Sequence, residues 1–302
     1  RHTLFLTDGG DVYVCGDGHG GRLGHGSSAH ERSPRRLTAW QKPTPPHAIW
    51  SADGEGGGHP GTARAAETAA AEAASDAAHA RALRDWASGA SDVLMHGKWV
   101  DASCCELDPP PRINCVSAGE AHSHAIASPH GHLYSWGMLA GGRLGLRKQC
   151  LDGSPSRRGT VCRPMHADMR DRPGGGPRFT LVSAGDAHSL AVDERGALWS
   201  WGRNCEGQLG VGDEKGRSRP TRVSGLVGVR VRMAAAGTIH SAAVSVCGAV
   251  YTWGVDAGGR LGHSDGAATV LPRRVAGLLG SRVVEVATAR EHTLFRLDDG
   301  TV

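Results

Sequence analysis

The chain has 302 residues, a net charge of +4 and 45 glycines. The charge is too small for its size to argue for nucleic acid or a membrane surface, and the glycines lack the every-third period of collagen. No secretory apolar segment and no apolar run of membrane length is present, and the expected location is intracellular, in cytoplasm or nucleus.

Only Lys42, Lys98, Lys148 and Lys215 are lysines, so arginine carries nearly all the positive charge. With the excess of alanine and glycine, that bias reads as genome composition more than as a phosphate-binding surface. The eight cysteines, at 15, 104, 105, 115, 150, 162, 205 and 247, form no CxxC pair and are read as free thiols in a reducing compartment.

In chain order, the first feature is Cys15 to Gly24, CGDGHGGRLG, where Gly16, Gly18 and Gly21 match a dinucleotide fingerprint. That fingerprint needs a helix after it and an acidic residue about twenty positions on. Pro34 and an arginine-rich loop follow instead. The stretch is one of four copies of (Trp or Cys)-Gly-x4-Gly-x-Leu-Gly, the others being Trp136–Gly145, Trp201–Gly210 and Trp253–Gly262. The glycines common to all copies are those at 16, 21 and 24, and only the first copy completes the fingerprint, so the dinucleotide reading fails. No cofactor is expected.

The repeat extends upstream. GDVYV, GHLYS, GALWS and GAVYT precede the four glycine motifs, and their alternation puts Tyr134 and Trp136 on one face of a strand. Further upstream stand His2, His122, His188, His240 and His292, each followed by serine or threonine. Downstream, SPRRL, RPTRV and LPRRV supply a proline and a final apolar strand residue. His188, His240 and His292 are 52 residues apart, as are Gly196, Gly248 and Gly300. About four short strands per period near fifty is the pattern of a propeller blade.

The fold class expected is therefore all-β, a β-propeller of about four-stranded blades. Residues 1–40 are its first repeat, incomplete at its start, and 111–302 hold the further repeats, the last truncated. Between them, 41–110 is a low-complexity insertion that accounts for most of a 68-residue excess over one period. Alanine makes up half of Ala63 to Ala90 and favours helix. Transient helix or disorder is read ahead of a docked helix, with Trp86 to Trp99 the part most able to dock. A smaller excess of 14 residues falls in 146–178, a loop with eight basic residues against three aspartates. Arg147, Lys148, Arg157, Arg158, Arg163, Arg170 and Arg172 are its candidate partner-binding residues, for an acidic protein or for nucleic acid, although a solvated loop is the plainer reading. Cys150 and Cys162 have no further ligands in the loop to complete a metal set.

The recurring residues His122, Trp136, His188, Trp201, His240 and Trp253 are read as structural. One histidine per blade spaces them around the axis, too far apart to share an ion, and a hydrogen bond to backbone between strands is expected for each. The neighbouring hydroxyls resemble a Ser–His pair only in sequence, since no nucleophile elbow accompanies them. No catalytic, metal or small-molecule site is expected.

The A-G-x-x-H-S strand, G-x-L-Y-x-W-G and the G-x-L-G turn together resemble the regulator of chromosome condensation repeats, over roughly 1–40 and 111–302. The resemblance implies a propeller, usually of seven blades, so the chain reads as a segment of a longer protein. It also implies a scaffold that binds a macromolecular partner through its loops. The alternatives are an exchange factor for a small GTPase such as Ran, a chromatin-binding module, or the substrate module of a larger ubiquitin ligase or kinase. One branch, the plant ultraviolet-B photoreceptor, places tryptophans before Arg-His-Thr. Here the later copies read GEAHS, GDAHS, GTIHS and AREHT, so photoreception is disfavoured.

Overall fold

A computed structural model describes residues 1–40, 110–146, 159–167 and 176–302. The described chain is nearly all antiparallel sheet. The first sheet has three strands, β1 (His2–Leu6), β2 (Val12–Gly16) and β3 (Glu31–Arg36). Three sheets have four: β4 (Ile113–Ala118), β5 (His122–Ala127), β6 (His132–Met138) and β7 (Thr160–His166); β8 (Phe179–Ala184), β9 (His188–Asp193), β10 (Leu198–Gly202) and β11 (Arg217–Arg222); and β12 (Val231–Ala236), β13 (His240–Ser245), β14 (Val250–Gly254) and β15 (Thr269–Arg274). The last sheet pairs β16 (Val283–Thr288) with β17 (Thr293–Leu297). Each sheet is an up-and-down meander in sequence order, and each is a propeller blade.

The sequence builds these strands directly. The histidine strands HSHAIA, HSLAVD and HSAAVS are buried along their whole length, because neighbouring sheets cover both faces. Small residues at alternate positions, such as Ala125, Ala191 and Ala243, let the sheets approach. The first strand of one blade lies against the first strand of the next, β4 on β8 and β12 on β16. The outer strands β3, β11 and β15 are rich in arginine and mostly solvated.

Each Trp-Gly pair sits at a bulge. Trp136, Trp201 and Trp253 fall where the register with the outer strand slips by two residues, between Ser135 and Gly137, Ser200 and Gly202, and Thr252 and Gly254. The glycine that follows has φ of 111°, 109° and 105° in the three copies. A Cβ on Gly137 would stand 2.5 Å from the Ala121 carbonyl oxygen. Only glycine permits both the conformation and the approach.

One sequence expectation is corrected here. The stretch 146–178 was read as a loop, yet Thr160–His166 within it is β7, the outer strand of the second blade. The leucine or valine that stands three residues after proline in the other copies is alanine here, Ala167 in CRPMHA, which hid the match. Val161 and Met165, with Ala167 just after the strand, are buried, so β7 is more covered than the outer strands of the other blades. The insertion 41–109, including the alanine-rich segment and Trp86 to Trp99, lies outside the described residues. Among the described residues, no helix is long and apolar enough to cross a membrane.

Candidate functional site

The recurring polar residues converge at the seams between blades. His2 Nε2 lies 2.7 Å from Ser123 Oγ, His122 Nε2 2.9 Å from Ser189 Oγ, His188 Nε2 2.9 Å from Ser241 Oγ, and His240 Nε2 3.0 Å from Thr293 Oγ1. Each histidine thus pairs with the hydroxyl of the next blade, and not with backbone. The serine adjacent to a histidine in sequence belongs to the preceding seam.

Each hydroxyl has a second partner, the carbonyl of the x residue in a G-x-L-G turn. Ser123 donates to Arg22 at 2.9 Å, Ser189 to Arg143 at 3.0 Å, Ser241 to Gln208 at 2.8 Å and Thr293 to Arg260 at 2.8 Å. A hydroxyl has one hydrogen. Spending it on the carbonyl makes the oxygen an acceptor toward histidine, which fixes each imidazole as the Nε2–H tautomer.

The tryptophan indole completes the seam. Trp136 Nε1 donates to the Arg22 carbonyl at 2.9 Å, Trp201 to Arg143 at 2.8 Å and Trp253 to Gln208 at 2.8 Å. One turn carbonyl therefore receives both an indole N–H and a hydroxyl from the following blade. The last glycine of the turn makes room for that ring: a Cβ on Gly210 would stand 2.7 Å from Trp253 Nε1. The turn leucines Leu23, Leu144, Leu209 and Leu261 are buried beneath it.

A further participant escaped the sequence reading. The arginines of the G-R-L-G turns point across the seam, Arg22 to the Glu120 carbonyl at 2.9 Å, Arg143 to Asp186 at 2.9 Å and Arg260 to Arg290 at 3.1 Å. Their recurrence at one phase of the repeat was the available signal. Part of the arginine content is thus architectural. Trp40 was also missed; it is buried and meets Tyr134 and Trp136 edge-on at centroid distances of 5.3 and 6.1 Å.

Burial sets the protonation of the seam. Desolvation lowers His188 to about 3, with neighbouring His240 adding to the effect, and lowers His2 and His240 to about 4. His122 is held well below its ordinary value by burial, then by its neighbour His124. The Nδ1 atoms of His2, His122, His188 and His240 are buried without a hydrogen-bond acceptor among the described residues, so a second proton there has nowhere to donate. The second blade adds His124, whose Nε2 is 2.8 Å from the same Ser189 Oγ and whose Nδ1 is 2.8 Å from Ser135 Oγ. These imidazoles are neutral donors locked in place and offer no free base for chemistry.

Of the basic candidates, Arg163 lies on β7 and is exposed. Arg147, Lys148, Arg157, Arg158, Arg170 and Arg172 lie outside the described residues.

With this geometry in hand, comparison with known proteins decides the family. The model of the regulator of chromosome condensation (RCC1) repeat matches residues 9–44, 130–192, 195–244 and 248–296. The chain belongs to the RCC1-repeat family. It is 30% identical over 306 residues to the ultraviolet-B receptor UVR8 of Arabidopsis thaliana, covering 99% of this chain and 61% of that protein. It is 38% identical over 179 residues to the human probable E3 ubiquitin-protein ligase HERC3, covering 59% of this chain and 16% of the ligase. Among solved structures, human WBSCR16 superposes with a TM-score of 0.63 at 20% identity, over 97% of this chain and 55% of that one. Saccharomyces cerevisiae Prp20p, solved with a study of its binding to Gsp1p and histones, gives 0.60 at 19% identity, over 97% and 53%. These likenesses show an RCC1-type β-propeller fold. The chain spans less than two thirds of the length of the curated relatives it matches.

Proposed function

We propose that this RCC1-repeat chain is a protein-interaction scaffold that offers its loops and outer strands to a macromolecular partner. The observation that carries the reading is the division of labour among polar residues. The recurring histidines, hydroxyls and indoles are consumed in the seams. The exposed charge lies instead on the outer strands, including Arg32, Arg35, Arg36, Arg163, Arg222, Arg273 and Arg274. Surface ion pairs such as Arg36–Asp11 and Arg273–Asp265 contribute little to stability, so an acidic partner can replace them at small cost. Arg147, Lys148, Arg157, Arg158, Arg163, Arg170 and Arg172 are proposed as the docking cluster.

The second reading is nucleotide exchange on a Ran-type GTPase, favoured by the likeness to a protein studied with Gsp1p. An exchange factor needs complementary loops and no cofactor of its own. One experiment separates the two. Release of fluorescent GDP from Ran and from other small GTPases is followed with the full parent chain added, alongside binding of a polyglutamate peptide as the acidic probe. The scaffold reading expects no acceleration by catalytic amounts, with affinity for the acidic peptide falling at least tenfold in Arg157→Glu/Arg158→Glu. Acceleration at catalytic amounts replaces it by exchange.

A further inference from the structure

We infer that Asp17, His19 and His30 form a site for a divalent transition-metal ion of the zinc class, in the loop between β2 and β3 of the first blade. Asp17 Oδ1 lies 2.8 Å from His19 Nδ1 and 3.1 Å from His30 Nδ1, and the donor atoms of the three residues all fall within 4.8 Å of one another. Two imidazole nitrogens and one carboxylate oxygen are a familiar zinc donor set that leaves a fourth position open to water.

The hydrogen bonding around His30 carries the inference further than proximity does. The Gly18 N–H points at His30 Nδ1 from 3.1 Å, which requires that nitrogen to present a lone pair. The same nitrogen faces the Asp17 carboxylate oxygen, another acceptor. Two lone-pair atoms at that distance repel unless a positive charge stands between them. A proton on Nδ1 would satisfy the carboxylate at the expense of the Gly18 bond. A metal ion on that lone pair also releases the Gly18 N–H, but it binds both ring nitrogens and the carboxylate at once, which a single proton cannot do.

The rest of the carboxylate is already arranged for this. The His19 backbone N–H donates to Oδ1 at 2.9 Å, while Oδ2 faces the Arg22 guanidinium at 3.4 Å and the Arg1 main-chain nitrogen at 3.8 Å. Zinc–nitrogen bonds of about 2.0–2.1 Å put tetrahedral donors roughly 3.3 Å apart. Closing the widest separation, within 4.8 Å, therefore takes at most roughly 1.5 Å of ring movement. His19 and His30 can make it, being 74% and 58% exposed.

The cluster belongs to one blade alone. At the position of Asp17 the other copies have Met138, Arg203 and Val255, and at that of His19 they have Ala140, Cys205 and Ala257. The propeller therefore does not need these side chains for its architecture, unlike the seam histidines. A bound ion would tie the end of β2 to the start of β3. It would close the turn whose Arg22 carbonyl receives Ser123 and Trp136 of the second blade.

The test uses the untagged, metal-free full chain, titrated with Zn²⁺ alone by calorimetry and with Co²⁺ by visible absorption. The expected result is one ion per chain, with affinity reduced at least tenfold in His19→Gln/His30→Gln and retained in His130→Gln/His132→Gln. Should the double variant misfold, the single His19→Gln carries the same comparison, since that ring is largely solvated. Failure to bind below millimolar Zn²⁺, or equal affinity in the His19 and His30 variants, overturns the site.

Discussion

At the scale of the residue, the seam hydroxyls hold the most connections per atom. Ser189 Oγ accepts from His122 and His124 and donates to the Arg143 carbonyl. Removing it leaves two buried N–H groups without an acceptor, each costing roughly 1–3 kcal/mol. Ser189→Ala is expected to lose more stability than Ser241→Ala, where one histidine is orphaned, and denaturant titration of the two measures the difference. The histidines also make a signed prediction with pH. Their folded values of about 3 to 4 lie below the unfolded value of 6.5, so below pH 6.5 the unfolded chain takes up protons that the native chain refuses. Stability should be level above that pH, then fall as pH drops toward 4, by up to about 1.4 kcal/mol per pH unit for each histidine. A flat urea midpoint between pH 7 and pH 4.5 would contradict the buried neutral assignment. That these residues recur once per blade was readable in the sequence. Their partner was not, because it lies about 53 to 121 residues away across a seam, and the neighbouring serine in sequence is a decoy.

The element that defines the molecule is the glycine turn together with the bulged Trp-Gly strand it receives. Trp201→Phe keeps most of the buried ring but deletes the N–H to Arg143, for an expected loss of about 1 kcal/mol. Trp201→Ala should cost about 3–5 kcal/mol by opening a cavity. Gly210→Ala meets the Trp253 indole from the other side of the next seam and at φ of 69°, so it is expected to destabilise as well. Thermal unfolding of the three variants orders them. At this scale the sequence was most legible: strands, turns and period all follow from alternation and from four concordant copies. The exception was β7, where Ala167 stands in place of the usual leucine or valine and a basic stretch with many prolines and glycines masked the strand. Local composition there argued for a loop, and burial of Val161 and Met165 against the neighbouring sheets decided otherwise.

For the whole molecule, the insertion 41–110 provides a test of its own reading as unpacked chain. Replacing 41–109 with about nine glycine and serine residues shortens the connection by roughly three doublings, worth on the order of 2 kcal/mol of closure entropy. A gain of that order in the denaturant midpoint supports an unpacked segment, whereas a loss means that it contributes contacts to the blades. Function was less legible than fold, since the repeats determine the seams and the loops between them carry whatever is specific. The seams have one more consequence, which follows from their direction. Each of the three four-stranded blades sends its imidazole and its turn carbonyl forward and offers its hydroxyl and indole backward, so each described boundary joins unlike halves, head to tail. Any blade with both halves can therefore follow any other. A unit copied, removed or exchanged as a whole meets the same coupling on either side, while its outer strand and loops remain free to diverge. Such a chain can change its number of blades by recombination without inventing a new interface, and can specialise one blade without disturbing the rest.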